Sequence, residues 1–292
     1  VPKHKLICLP LFMPIPKENL IDKKVDLKKK KEYINKVLKQ MYDKKNKSEL
    51  FTATENCIVI SSISRIIEEY KNDKILQYFA DYLDDLWSKD NEVYLLFKST
   101  KVDDDNPFYD IYPKYKERRW FLFDEERSEL NEMYEIMANL DVNVCAFHVG
   151  NVGVEHLALG VPVITIDTAC NKSVLGKKGS YFRTNDFNHM VQKTQEYVNK
   201  IIDSKTNDSL RNDIESYKKS IKEQALTRFS REHYLERLKL MMKAANIYFR
   251  YEVKKEDIQN EYDKVKKEVE RVFDEDMKLY DLDYWKSEIK KD

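Results

Sequence analysis

"AFHVGNVGVEHLALGVPVITID" runs from Ala146 to Asp167. It holds Gly150, Gly153 and Gly160, three of the five glycines in the whole chain. Glu155 lies among them, and a Gly-x-Pro leads into the β-branched run Val161–Ile166. Just upstream, "VNVCAF" (Val142–Phe147) is another short apolar run. Both runs suit buried strands, where β-branched side chains pack well on a pleated surface. A helix over Val154–Leu159 fits between them. The unit reads as strand, glycine-bearing turn, helix, strand, which is one βαβ step.

The same alternation extends outward. "CIVISSIS" (Cys57–Ser64), "VYLLF" (Val93–Phe97) and "RRWFLF" (Arg118–Phe123) read as strands. Ile75, Phe79, Tyr82, Leu83 and Leu86 recur at helical spacing between Lys71 and Trp87, and a further helix fits Ser128–Asn139. "KLICL" (Lys5–Leu9) reads as a strand followed by the proline-rich linker "PLFMPIP", and Leu27–Tyr42 reads as a lysine-faced helix. "DDDNP" reads as a turn, and the chain is almost wholly helical beyond Asp186. Short strands without polar alternation belong in a parallel sheet covered on both faces. The expected fold is therefore α/β: a Rossmann-like, doubly wound parallel sheet with about five strands over Cys57–Ile166 and a helical C-terminal extension. The expected division is a linker and lysine-rich helix over 1–50, a Rossmann-like domain over 51–245 and an amphipathic tail over 246–292. In the tail, Ile258, Tyr262, Val265, Val269, Val272 and Phe273 form one stripe that needs a surface to cover it.

Composition narrows the classes. With 52 basic and 52 acidic residues the 292-residue chain has no net charge, and a nucleic-acid role would rest only on one lysine cluster, so no nucleic-acid partner is expected. The lysine cluster "DKKVDLKKKKEY" lacks aromatic interleaving and reads as a solvated helix face, with a phosphate-bearing partner as the other reading. Four cysteines, Cys8, Cys57, Cys145 and Cys170, show no CxxC pair and no metal-ligand spacing, so buried free thiols are expected. No metal site is expected, and the Asp103–Asp105 run reads as a loop cap. With no apolar stretch of membrane-spanning length and no visible signal peptide, a cytoplasmic protein is expected. The chain begins at Val1 rather than at a methionine, as a fragment lacking upstream residues would.

In a doubly wound sheet, ligands bind beyond the carboxyl ends of the strands. The glycines of "HVGNVG" fall at such an end, just before a helix start. There the backbone can approach a ligand closely, and free N–H groups favour phosphate. A carboxylate at Glu155 would repel phosphate but accept hydrogen bonds from ribose hydroxyls. A nucleoside diphosphate on the turn with its ribose on Glu155 is one coherent reading. The other is a tight turn followed by an acid that favours the helix dipole.

The stretch Gly153–Gly179, "GVEHLALGVPVITIDTACNKSVLGKKG", resembles the C-terminal, donor-binding domain of GT-B-fold glycosyltransferases (glycosyl transferases group 1). "IVISSISRIIEEYKNDKILQYFADYL" resembles the strand, arginine, lysine and helix that open that domain, and the likeness covers about Lys5–Lys243. The resemblance implies a nucleotide sugar as donor and no further cofactor. It assigns Arg65 and Lys71 to the basic pair facing the diphosphate, with Lys74 competing because the spacing is one residue longer than usual. It assigns Glu155 to the ribose, and Gly150, Asn151, Val152 and Gly153 to the loop against phosphates and sugar, with His148 beside them. Phe147 stands where many retaining members carry a glutamate facing the sugar. It further implies an N-terminal GT-B domain, absent here or supplied by another chain. The alternative function is a non-catalytic sugar-nucleotide-binding or interaction subunit.

Overall fold

The computed structural model describes residues 25–43, 52–66, 68–99, 106–253 and 258–279. The strand expected at Lys5–Leu9, the proline-rich linker and the Asp103–Asp105 run lie outside these.

Six strands, β1 (Ile58–Ile63), β2 (Val93–Lys98), β3 (Phe121–Asp124), β4 (Val142–Cys145), β5 (Val163–Ile166) and β6 (Ser180–Phe182), form one sheet in the order β3-β2-β1-β4-β5-β6. All neighbours are parallel. Every residue of β1 and β2 is buried, on both alternating faces, which requires helices on both sides. This is the expected doubly wound α/β sheet, one strand wider than the sequence suggested. The missed strand, β6, is a three-residue edge containing Ser180 and Tyr181, too short and too polar to show in periodicity.

Ten helices surround it among the described residues: α1 (Leu27–Asp43), α2 (Asn72–Ser88), α3 (Pro107–Tyr115), α4 (Leu130–Ala138), α5 (Gly150–Ala158), α6 (Ala169–Leu175), α7 (Phe187–Ser204), α8 (Asp208–Phe229), α9 (Arg231–Val253) and α10 (Gln259–Leu279). Helix α3 begins where a turn was expected. The Asn106 side chain accepts from the Phe108 N–H at 2.9 Å and Pro107 fills the first helical position, a strong start signal. Phe108 then packs against Phe97, Phe123 and Tyr112.

Helix α1 is not merely a solvated lysine face. Lys30 is 3% exposed, and its Nζ meets Asp141 Oδ2 at 2.5 Å. The same oxygen accepts from the Val59 N–H at 2.7 Å. Lys98 Nζ and Tyr33 OH share Asp124 Oδ2 at 2.5 and 2.7 Å. These buried groups pin α1 to the strand ends, and removing one partner of such a pair typically costs about 3–5 kcal/mol.

The tail stripe finds its cover within the chain. Val265, Val269 and Val272 of α10 pack on Leu240, Ala244 and Ile247 of α9. Arg237 holds Asp276 with two bonds of 2.8 and 3.2 Å at one end of this pair. The domain boundary drawn at 245/246 falls inside α9, which runs through it as one helix.

Candidate functional site

Strands β1 and β4 are neighbours, yet the chain leaves them in opposite directions, to β2 and β3 on one side and to β5 and β6 on the other. Diverging connections open a crevice at their carboxyl ends. Ile60 pairs with Val142 and Ser61 with Asn143, and the Ser61 hydroxyl donates to the Val142 carbonyl at 3.2 Å. Above this seam the two loops touch: Tyr70 and Phe147 meet edge to face with centroids 5.5 Å apart.

The β1 side supplies charge. Arg65 is exposed, and its carbonyl accepts from the buried Asn72 amide at 3.0 Å. Lys71 sits immediately before α2 with φ 51° and ψ 38°, a left-handed conformation costly for a residue with a Cβ. Lys74 lies along α2, its Nζ 3.3 Å from Asp73 and 3.4 Å from Gln77 Oε1. Lys71 thus lies between β1 and α2, and Lys74 in the first turn of α2.

On the β4 side the structure corrects the local reading. The glycine-bearing segment is not a turn before a helix at Val154; α5 already begins at Gly150. The three glycines answer three different demands. Gly150 has φ +54°, and nothing stands within 4 Å of where a Cβ would point. Gly153 is helical and buried, and a Cβ there would overlap Val149 Cγ1. Its missing side chain makes room for Val149. Gly160 has φ +79° and ends the helix: its N–H bonds to Leu157 O at 2.9 Å and that of Val161 to His156 O at 2.8 Å. That is a Schellman stop. The N–H groups of Gly150, Asn151 and Val152, in the first turn, have no acceptor within the helix by geometry. Asn151 is exposed, and Val152 is half-buried against the core.

Glu155 lies a little over one turn into α5 and is half-buried. Tyr134 of α4 donates to its Oε1 at 3.3 Å. Burial raises the Glu155 carboxyl above the ordinary range, and the Tyr134 bond partly offsets this. Next to it, His156 is fully buried, with Nδ1 2.6 Å from Val152 O and Nε2 without a partner. Burial pulls its pKa down to about 4, so it is neutral at pH 7.

The loop after β5 packs against the loop after β4, and its own residues were not singled out in the sequence. Thr168 caps α6 by accepting from the Asn171 N–H at 3.1 Å. Asn171 is 1% exposed. Its Nδ2 donates to Phe147 O at 3.0 Å, Thr165 Oγ1 at 3.0 Å and Ile166 O at 3.1 Å. Its Oδ1 accepts from the Val149 N–H at 3.1 Å and lies 3.3 Å from His148 Nδ1. His148 itself is exposed. Cys170 Sγ is 3.7 Å from both ring nitrogens, the place of a sulfur over the ring face. Cys57 and Cys145 are buried as expected, but Cys170 is exposed, because it falls on the first turn of a short surface helix. The only available signal for Asn171 was an asparagine three residues beyond a cap threonine, which predicts a helix start and nothing more.

No protein-family model matches the chain, and no curated protein matches it. Solved structures do. A Candida albicans trehalose-6-phosphate phosphatase N-terminal domain is similar over 80% of this chain and 50% of its own, with a TM-score of 0.54 at 14% identity. A glycosyltransferase from Rickettsia africae is similar over 76% of this chain and 55% of its own (TM-score 0.50, 13% identity). An α,α-trehalose 6-phosphate synthase from Burkholderia multivorans is similar over 68% and 44% (TM-score 0.50, 10% identity). The chain thus has the fold of a GT-B glycosyltransferase domain. It spans about half the length of these three structures.

Proposed function

We propose that this chain is the donor-binding domain of a glycosyltransferase, taking a nucleoside diphosphate sugar and passing the sugar to an acceptor. One observation carries the reading. Adjacent β1 and β4 put the segment after β1, which carries Arg65 and Lys71, beside the segment that leads from β4 into α5 and Glu155, and the two touch at Tyr70 and Phe147. In this reading Arg65 and Lys71, with the N–H groups of Gly150, Asn151 and Val152, stabilise the leaving diphosphate as charge develops on it. Glu155 accepts from the ribose hydroxyls. The reaction so described draws on charge and preorganised donors, without a metal ion. An N-terminal GT-B domain, in this chain's own protein or in a partner, supplies the acceptor side, and the assembly is cytoplasmic.

The second reading is a sugar-nucleotide-binding or interaction subunit without turnover. It is favoured by Phe147, partly exposed at the position where many GT-B enzymes that retain configuration carry a glutamate.

Calorimetric titration of the chain with nucleoside diphosphates and nucleotide sugars tests both. Binding that is weakened in Glu155→Gln, and for the diphosphate in Arg65→Ala, supports a donor site. A folded chain that binds none of them refutes it. Turnover after adding the N-terminal domain then separates the enzyme from the binding subunit.

A further inference from the structure

We infer that Asn171 is a positioning residue for the crevice: it fixes His148 in one tautomer and presents the unprotonated Nε2 there as a hydrogen-bond acceptor. What His148 accepts from rests on the donor-site reading above, where the available group is a sugar hydroxyl.

The argument starts from groups that cannot exchange roles. A backbone N–H only donates and a backbone carbonyl only accepts. Asn171 Oδ1 faces the Val149 N–H, while its Nδ2 faces the carbonyls of Phe147 and Ile166. Flipping the amide would set an NH2 against an N–H and an oxygen against two carbonyls. The orientation of a buried amide in this setting is therefore decided by the backbone. It follows that His148 Nδ1, 3.3 Å from Oδ1, meets an acceptor and must carry the proton. In the neutral ring the lone pair is then on Nε2. Cys170 covers the ring face, and the backbone on either side of His148 is held through Phe147 O and Val149 N. Asn171 thus ties the loop after β4 to the loop after β5 and sets the chemistry of the exposed imidazole between them. An acceptor there suits a hydroxyl rather than a phosphate oxygen, so it selects for the sugar part of the donor.

The test is long-range proton–nitrogen NMR on the full chain labelled with 15N-histidine. The expected wild-type spectrum shows His148 as the Nδ1–H tautomer. Asn171→Ala should give a mixture of the two tautomers. An Nε2–H tautomer in the wild-type protein overturns the inference without any variant, so misfolding of Asn171→Ala cannot rescue it. Titration with UDP-glucose, UDP-N-acetylglucosamine and GDP-mannose forms the second arm. The bound sugar should shift the Nε2 resonance, and Asn171→Ala should weaken binding roughly threefold to tenfold, the worth of one hydrogen bond. Binding that leaves Nε2 unmoved overturns the inference while the donor-site reading stands. Absence of binding, with the Nδ1–H tautomer present, overturns the donor-site reading and leaves Asn171's hold on His148 supported.

Discussion

Tyr134 of α4 donates its hydroxyl proton to Glu155 of α5, 3.3 Å away, and this bond opposes the rise in the Glu155 pKa that burial causes. A carboxyl raised in the folded state is stabilising while protonated, and that contribution fades as pH climbs through the raised pKa. A carboxylate that accepts from ribose must be ionised. Nucleotide affinity should therefore fall on acidification at a pH above the ordinary glutamate value of 4.5. Tyr134→Phe removes the lowering bond and should move the midpoint to still higher pH, as read by calorimetry across a pH series. Glu155→Gln should weaken binding roughly tenfold to a hundredfold without lowering the Tm at pH 7.

Gly150 and Gly153 should respond differently to alanine. Gly153→Ala drives a methyl into Val149 and should destabilise by about 1–3 kcal/mol, with much of the loss recovered in a Val149→Ala background. Gly150→Ala meets open space and should cost only the left-handed backbone, about 1 kcal/mol, with no rescue by Val149→Ala. Urea denaturation of the two glycine variants, Val149→Ala and the two double variants decides this. Equal rescue of both would mean that Val149 is not what Gly153 accommodates.

Lys71 holds a left-handed backbone before α2. Lys71→Gly should leave stability unchanged or improve it by up to about 1 kcal/mol, because glycine tolerates that conformation. Diphosphate affinity should fall in the same variant. A stability loss with unchanged affinity would make Lys71 a structural residue.

His156 gives an acid limit. Its folded pKa of about 4 lies below the ordinary 6.5, so the neutral form is the stabilising one. The contribution is present above pH 6.5 and is lost as pH falls toward 4, about 3 kcal/mol at most from a shift of this size. His156→Met should flatten the stability profile between those values in denaturation experiments at stepped pH.

Cys170 should react with iodoacetamide in the folded protein at pH 8, while Cys57 and Cys145 resist it. Burial pushes each of the latter to about 11, and neither is exposed. Mass mapping of a brief pulse, before and after denaturation, reads the difference. Because Cys170 lies against His148, a nucleotide sugar in the crevice should slow its labelling.

Much of this architecture is legible in the chain itself. Apolar runs such as Ile58–Ile60 and Val93–Phe97 read as strands buried on both faces, and the helical spacing from Ile75 to Leu86 reads as their cover. Helix α3 was legible too, in Asn106-Pro107, though the preceding aspartates drew it into a turn. Glu155 was singled out from the local sequence, and Arg65 and Lys71 through the family resemblance, whereas Tyr134 and Asn171 were not singled out. They act through partners 21 and up to 24 residues away, and nothing local marks them.

Local backbone and hydrophobic periodicity determined the α/β class, the order of elements and the amphipathic tail, because those depend on neighbours within a few residues. The tertiary structure alone decided which glycine serves which purpose, that Lys30 is buried against Asp141, and that Cys170 is exposed beside His148. The physical reason is that a side chain's burial, partner and protonation are set by what other strands and helices bring against it, and the sheet order β3-β2-β1-β4-β5-β6 is what brings it.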